Sequence, residues 1–386
     1  MRGYLKEMAD DHVKDAGEFK AGMNRFSQEV TEFIKDEKYD NEEFSIRELF
    51  DAAVVGDPDN IHIDFAEGTD LVSIQEATAR SVFPKITSSL IYKELIPAYE
   101  SSLGDALQLC TVGTTTQAEY EYIAGTTAMP TLQAVEAGQN YPEATFAEKN
   151  VRIQMKKFGH IVSLEMETIM SDQTGKLLER ARESGDIIGD HQHRFIIETI
   201  ADIARNALGE SSSTALYWGG SARTVYANDH SSWDEYTNDN LAATTSGDST
   251  SEWGTMWSLL ANMRNRQGGY IKAIPKWVIC HPNLYPQTRK FLVSIGEPDT
   301  GNNANNFYST LGIRPFITQY LTANTDWLMG DPKKQTQWLW YKKPNVQVQG
   351  ASSDAAFERD IIARFKPNYY GGCGLKDYRF VVEGNV

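Results

Sequence analysis

The stretch AFERDIIARFKPNYYGGCGLKDYRFVVEG (Ala356–Gly384) decides the architecture. Its first half, AFERDIIARFKPNYY, reads as a strand that carries Arg359, Arg364 and Lys366 among apolar residues. Gly371-Gly372-Cys373-Gly374 then reads as a glycine turn with nothing around it to cradle a phosphate, and YRFVVEG as a last strand. Immediately upstream, WLMGD, QTQWLWYKK and NVQVQG repeat the rhythm of strand and turn. Further out, WVICHP (277–282) is a short apolar run suited to a buried strand, and Asn283–Ile295 reads as the helix that follows it. Trp253, Met256, Trp257, Leu260 and Met263 form the apolar stripe of another helix, which the Gly268-Gly269 pair is expected to stop.

The middle of the chain carries its longest periodic element. Ile188, Phe195, Ile196, Ile200, Ile203 and Ala207 follow helical spacing, so a spine helix is expected over Leu177–Ala207, with Arg194, Glu198, Asp202 and Arg205 on other faces. At 1.5 Å per residue it would be about 45 Å long. Between that helix and the Trp253 stripe, residues 209–252 hold one base (Arg223) and seven acids among many small polar residues, with aromatics Tyr217, Trp218, Tyr226, Trp233 and Tyr236 interspersed.

Before the spine, Tyr120 and Tyr122 alternate on one side of GTTAMPTLQAVEAGQNYPEAT (125–145), and Phe146, Val151, Ile153 and Met155 on the other. Two strand patterns around some 20 irregular residues describe a long projecting hairpin, a length that compact domains keep for a purpose. FGHIVSLEME (158–167) alternates again. Residues 60–124 are mixed, with short strand-like segments such as IHIDF and TQAEYEYIA separated by Pro84 and Pro97. SIRELFDAAVV (45–55) begins with a capping box, Ser45 and Glu48. Residues 1 to about 40 show one thin apolar stripe in a polar helix, with twelve acids and seven bases between Arg2 and Glu43. So thin a stripe builds no core by itself, and the arm is expected to pack on its own domain or on a partner subunit.

Composition narrows the function. The chain has 386 residues, is 41% apolar and 23% charged, and carries a net charge of −16. That excludes a disordered chain and one that wraps nucleic acid through its average surface. The longest unbroken apolar runs are four residues, so no segment can span a bilayer, and MRGYLKEMADDHVKD lacks the apolar centre of a secretory signal. Cys110, Cys280 and Cys373 are odd in number and far apart, as structural thiols in a reducing compartment would be.

Candidate chemistry is sparse. His191 and His193 are two apart on a predicted helix and point some 200° apart, so they cannot share a metal. His281 follows a strand, where a catalytic residue can sit, but beside Pro282 it reads as a partly buried turn histidine. Neither a Gly-x-Ser-x-Gly elbow nor a phosphate-binding glycine loop occurs. Asp229, Asp234, Glu235, Asp239 and Asp248 fit no EF-hand spacing, and Glu165 with Glu167 reads as the wet face of a strand. No catalytic, cofactor-binding or metal-binding residue is assigned, and no internal repeat is present.

The order of elements carries the signal. ATFAEKNVRIQMKKFGHIVSLEMETIMSD (144–172), WVICHPNLYPQTRKFL (277–292) and Ala356–Gly384, in that order and with those gaps, resemble the major capsid proteins of tailed bacteriophages with the Hong Kong 97-type fold. The resemblance runs from about Gly125 to the C-terminus. It implies an α+β fold in five parts: an N-terminal arm and leading segment (1–119), an E-loop hairpin (120–151), a P-domain part with the spine helix and polar loop (152–251), an A-domain (252–346) and the C-terminal P-domain strands (347–386). It implies a non-catalytic protein without cofactors that assembles with itself as hexamers and pentamers into an icosahedral shell. That shell would enclose double-stranded DNA without specific contacts. A scaffolding protein, a portal and a decoration protein are the further expected partners, a membrane is not, and the expected location is the virion, with the host cytoplasm before assembly.

Two departures from the family matter. No lysine lies between Glu121 and Glu148, so the hairpin tip lacks the nucleophile with which some members form covalent chain-mail. Only about 45 residues precede the Ser45 helix, fewer than a cleavable scaffolding domain, so an uncleaved N-terminus and a separate scaffold are expected. Two alternatives stay open: an encapsulin-like nanocompartment shell, against which the long arm speaks, and a soluble enzyme or sugar-binding module built on the aromatic loop. The missing lysine predicts that particles boiled in SDS give one band near the 43.3 kDa chain mass; a ladder of multiples would show a cross-link.

Overall fold

The computed structural model describes residues 24–25, 27–30, 32, 90–126, 148–165, 176–208, 216–218, 221–230, 237–243, 247–265, 268–296, 305–323, 325–350 and 361–385. The Ser45 helix, the IHIDF strand and most of the N-terminal arm lie outside them. In chain order the strands are β1 (Thr111–Thr114), β2 (Tyr120–Thr126), β3 (Glu148–Gln154), β4 (Lys156–Gly159), β5 (Val162–Glu165), β6 (Leu216–Trp218) and β7 (Ser221–Arg223). They continue as β8 (Leu241–Ala243), β9 (Trp277–Cys280), β10 (Arg314–Ile317), β11 (Trp327–Gly330), β12 (Thr336–Gly350), β13 (Ile361–Leu375) and β14 (Val381–Asn385). The main helices are α1 (90–103), α2 (Lys176–Ile200), α3 (Thr250–Ala261) and α4 (Tyr285–Val293). Among the described residues three sheets form, with strand orders β1-β12-β13-β4 (β5 also pairing β13), β10-β9-β11-β14-β8 and β2-β3-β6-β7. The architecture is α+β.

The chain divides into two compact units, one made of residues 1–103, 157–190 and 342–369, the other of 104–156, 191–341 and 370–386. The boundaries cut through α2, β12 and β13. In the first unit, α1 replaces the break expected at Pro97. Leu90, Ile91, Leu95, Tyr99 and Leu103 recur at helical spacing and are all buried, which outweighs the proline on the exposed side. Gly185 and Gly189 of α2 lie one turn apart on one helix face and meet α1 backbone to backbone. A Cβ at Gly185 would stand 2.4 Å from the Leu95 carbonyl oxygen, and one at Gly189 2.6 Å from that of Tyr99. Polar links flank this seam: Ser102 Oγ donates to the Asp186 carbonyl at 2.8 Å, and Arg182 pairs with Glu94 at 2.5 Å. Ser184 Oγ lies 2.8 Å from His160 Nε2.

In the second unit α2 ends at Ile200, seven residues short of the expected Ala207. Asp202 takes the left-handed conformation (φ 52°), while the Ile203 N–H bonds the Glu198 carbonyl at 3.2 Å and the Asp202 N–H that of Thr199 at 3.4 Å. This pairing is a Schellman cap, so the apolar period beyond Ile200 is not helical. Glu198 and Arg205, expected on the outer faces, are buried, and Glu198 accepts from Arg194 Nε at 2.7 Å and from the Ala207 N–H at 2.9 Å. The main core gathers under the β10-β9-β11-β14-β8 sheet. There Trp253 stacks on Phe291 (centroids 5.0 Å apart) and meets Trp327 and Tyr308, each at 5.3 Å. Helix α3 starts with the capping box Ser249–Glu252 and ends at Ala261, before the glycine pair; Met263 lies beyond the helix yet is buried.

The segment that opened the reading departs from expectation at its glycines, which continue β13 rather than turning it. A Cβ at Gly371 would lie 2.9 Å from the Leu339 carbonyl oxygen, one at Gly372 2.3 Å from that of Gln154, and one at Gly374 2.6 Å from Ile153 Cγ1. Glycine is there for close strand approach. QTQWLWYKK and NVQVQG are likewise one strand, β12. Pro344 is tolerated because β1 pairs only as far as Trp340, so beyond it β12 needs no donor on that side. The last strand, β14, pairs with β11 and β8.

The α1–α2 seam sets two effects against each other at Gly185. Alanine would favour the helix by about 1 kcal/mol, whereas its methyl must displace backbone. We expect Gly185→Ala to be destabilising by about 1–3 kcal/mol in urea unfolding; a more stable variant would show that α1 does not pack there.

Candidate assembly surfaces

The hairpin strands β2 and β3 pair antiparallel over seven residues, from Tyr120↔Gln154 to Thr126↔Glu148. Residues 127–147, expected as its irregular tip, lie outside the described residues. Val151 and Ile153 point inward and are buried, and Arg152 between them lays its guanidinium over the Tyr120 ring at 4.6 Å. Tyr122, opposite Arg152, is 60% exposed. The root is held by the Met155 N–H on the Glu119 carbonyl (2.9 Å), by Thr115 Oγ1 on Glu121 (2.5 Å) and by the Tyr370 hydroxyl, which donates to the Ala118 carbonyl. Ile153, Met155 and Leu339 close a small apolar cluster beneath, with Ile123 and Tyr370 against it. β3 also pairs with β6 at Val151↔Trp218, while β2 is an edge strand of its sheet with Tyr122 exposed.

A second exposed surface lies at the end of α4. Phe291 is buried, but Val293 (66% exposed), Ile295 (84%) and Phe307 (52%) are not. They are held in place all the same. The Asn306 N–H bonds the Ile295 carbonyl at 2.9 Å, Asn306 Nδ2 bonds the Phe291 and Ser294 carbonyls, and Trp257 meets the Phe307 ring edge-on at 5.2 Å. Exposed apolar side chains held in fixed positions make this stretch a candidate interaction surface. Sequence reading missed it, because the polar stretch after Gly296 reads as a plain loop; the signal was Val293 and Ile295 falling outside the stripe of Phe291.

Apart from Cys110 and Cys373, whose side chains meet, the candidate chemical groups are dispersed. His191 bonds the Ala207 carbonyl at 2.8 Å, whereas His193 lies edge-on to Phe316 and Tyr320, so the two diverge as their spacing requires. His281 is half-buried and accepts the Asn283 N–H through Nδ1 at 3.3 Å, a turn contact. Cys110, Cys280 and Cys373 are buried free thiols, and burial pushes the Cys110 thiol well above its ordinary range. Of the acids in 209–252, Asp239 accepts the Leu241 N–H and Glu252 serves the capping box, while Asp234 and Glu235 lie outside the described residues. Among the described residues no group of three or more His, Cys, Asp or Glu could hold a metal ion. Tyr226, one aromatic of that segment, is a packed anchor: its hydroxyl donates to the Ile200 carbonyl at 2.6 Å and accepts from Gln335 Nε2 at 3.0 Å.

Nearby, Glu383 of β14 is pushed up to about 8, first by burial and then by the Asp326 and Asp202 carboxylates. Burial also raises Asp326, whose Oδ1 has no hydrogen-bond partner.

Among the described residues the hairpin and the exposed apolar side chains after α4 are the candidate assembly surfaces. The phage capsid protein family matches residues 148–384, more than half of the sequence, and the chain belongs to that family. Its function is structural: it is a capsid protein that builds a phage shell. No curated protein matches its sequence. Among solved structures it is similar to the capsid of a native GTA particle (12% identity, TM-score 0.49, 74% of this chain and 90% of that one). It is also similar to the capsid of cyanophage P-SCSP1u (10%, 0.46, 72% and 86%) and to a virus-like particle from Pyrococcus furiosus (11%, 0.42, 76% and 99%).

The Glu383 environment gives the subunit a signed pH dependence. Its folded-state value near 8 lies above the ordinary 4.5, so between the two the native state keeps a proton that the unfolded chain has released. Stability from this group is greatest below about pH 4.5 and falls as pH rises to 8, by at most about 1.4 kcal/mol per pH unit. Glu383→Gln should flatten that decline in unfolding measurements from pH 5 to 8; an unaltered slope would overturn the assignment.

Proposed function

We propose that this capsid protein is the major head subunit of a tailed phage, with the Hong Kong 97-type division of labour. In this reading β2 and β3 carry an E-loop that lies across a neighbouring subunit. Residues 152–251 and 347–386 supply the P-domain around the spine helix α2, and residues 252–346 supply an A-domain near the capsomer axis, where the Ile295–Phe307 surface meets its symmetry mates. The observation that carries the reading is the family match over 148–384, which contains β3, the spine and all the later strands.

The arm crosses to a second subunit, hexamers and pentamers tile an icosahedral shell, and a scaffolding protein and a portal direct its closure. Double-stranded DNA is retained by enclosure, which suits a chain of net charge −16 better than binding through its average surface would. The subunit enters the virion from the host cytoplasm.

Negative-stain microscopy of the expressed protein tests this directly. Closed particles or capsomer rings are expected, and DNA in particles purified from infected cells separates a phage head from a protein-storing compartment. Monomers at high concentration would overturn the shell reading.

A further inference from the structure

The strands of the first unit form a sheet segment whose charge runs against that of the whole chain. Arg364 lies directly across from Ser163 in the antiparallel pairing of β13 with β5. A Cβ at Gly159 would stand 2.8 Å from that of Asn368, which puts Gly159 across from Asn368 on the same side. By the period of two, Lys157, Gly159, Arg364, Lys366 and Asn368 share one face. On β12, residues 341, 343, 345 and 347 are exposed while those between are half-buried, and the Tyr341 ring meets Tyr370, which is in phase with Asn368, at 4.8 Å. Lys343, Asn345 and Gln347 therefore join that face. The opposite side of β13 holds the buried Phe365 and Tyr369.

The face thus carries Lys157 and Lys343, exposed, and Arg364 and Lys366, half-buried, with Asn368 buried at its end. Glu165, at the bulged end of the β5 pairing, is the one acidic residue in these strands. None of the four cations has an ion-pair partner among the described residues, and Arg364 Nε is shielded from solvent with no hydrogen-bond partner.

Elsewhere the charge is concentrated too. Residues 36–76 hold thirteen acids and two bases, a net −11 within a chain of −16. We propose that this basic face receives the acidic segment 36–76 of a second copy of the chain. The inference deepens the shell reading and rests on it. Like charge at that density opposes compaction unless it is neutralised. One face and one segment per subunit, joined head to tail, form a heterologous contact, which closes into a ring when the rotation between copies does. Forty-one residues extend to about 135 Å, ample to reach a neighbour.

The test is zero-length carbodiimide cross-linking of particles assembled from equal parts of unlabelled and heavy-nitrogen chains, read by mass spectrometry. Links from Lys157, Lys343 or Lys366 to carboxylates of 36–76, half of them between differently labelled chains, are expected. Links only within one label would assign the face to the chain's own segment and overturn the proposal. So would links only to other acids, or no links. Acylation of these lysines in DNA-filled and emptied particles adds a second arm: protection only in the filled ones would assign the face to nucleic acid instead. The double variant K343E/K366E, both on a wet sheet face, should keep the wild-type melting temperature and lower particle yield at least tenfold; full yield would overturn the proposal. Free subunits from the wild type would overturn the shell reading and this inference with it, whereas particles without mixed-label links overturn this inference alone.

Discussion

The hairpin that the second unit displays depends on how closely β13 can approach its neighbours. At Gly372 the β3 backbone comes so near that a methyl group would stand 2.3 Å from the Gln154 oxygen, and at Gly374 the Ile153 side chain fills the space a Cβ would need. Those contacts seat the end of β3, and β3 in turn carries β2 through seven residue pairs. A hairpin paired mainly to itself is marginal in water, because two strands bury too little apolar surface. Its root must therefore be fixed by the sheet, and a glycine run inside a long strand allows that. The same device recurs in the first unit, where Gly185 and Gly189 let α1 touch the spine helix.

This explains which parts of the fold could be read from residue order and which could not. Elements set by period were legible: the antiparallel strands around Tyr120 and Val151, the body of the spine helix, the buried WVIC strand and the Trp253 helix all have apolar spacing that only one backbone geometry satisfies. Elements set by backbone proximity were not. A glycine run looks the same whether it turns the chain or lets another strand in, so β13 was expected to break at Gly371. Pro97 and Pro344 misled for a related reason. A missing N–H matters only where a partner is waiting for it, and that depends on neighbours far away in sequence. The end of the spine shows a third limit. Ile203 and Ala207 keep the apolar period, yet the Schellman cap at Asp202 terminates the helix, and an aspartate in the left-handed region carries no distinctive sequence signal.

The candidate surfaces follow the same division. The hairpin was visible as a length too great for a compact loop, whereas Ile295 and Phe307 were hidden because exposure is a property of the assembled core and not of composition. Function was legible only as an order of elements. That is physically sensible for a shell protein, since no transition state dictates a fixed constellation of side chains. What the protein must supply is surface held rigidly enough to bind without a large ordering penalty, and rigid surface can be built from many sequences.

Charge is the property in which average and arrangement differ most. A net −16 read as a single number describes a soluble chain that avoids polyanions. Resolved along the chain, most of it belongs to residues 36–76, while the strands around Arg364 and Lys366 are basic. An assembly in which every subunit carries both poles gains attraction between unlike segments of different copies, and loses it as salt rises, because exposed charges are screened within about 10 Å at 0.1 M. Apolar display at Ile295 and Phe307 has no such dependence. A shell that uses both kinds of contact can recruit subunits through long-range attraction and hold them through burial, so its assembly rate and its final stability need not respond alike to ionic strength.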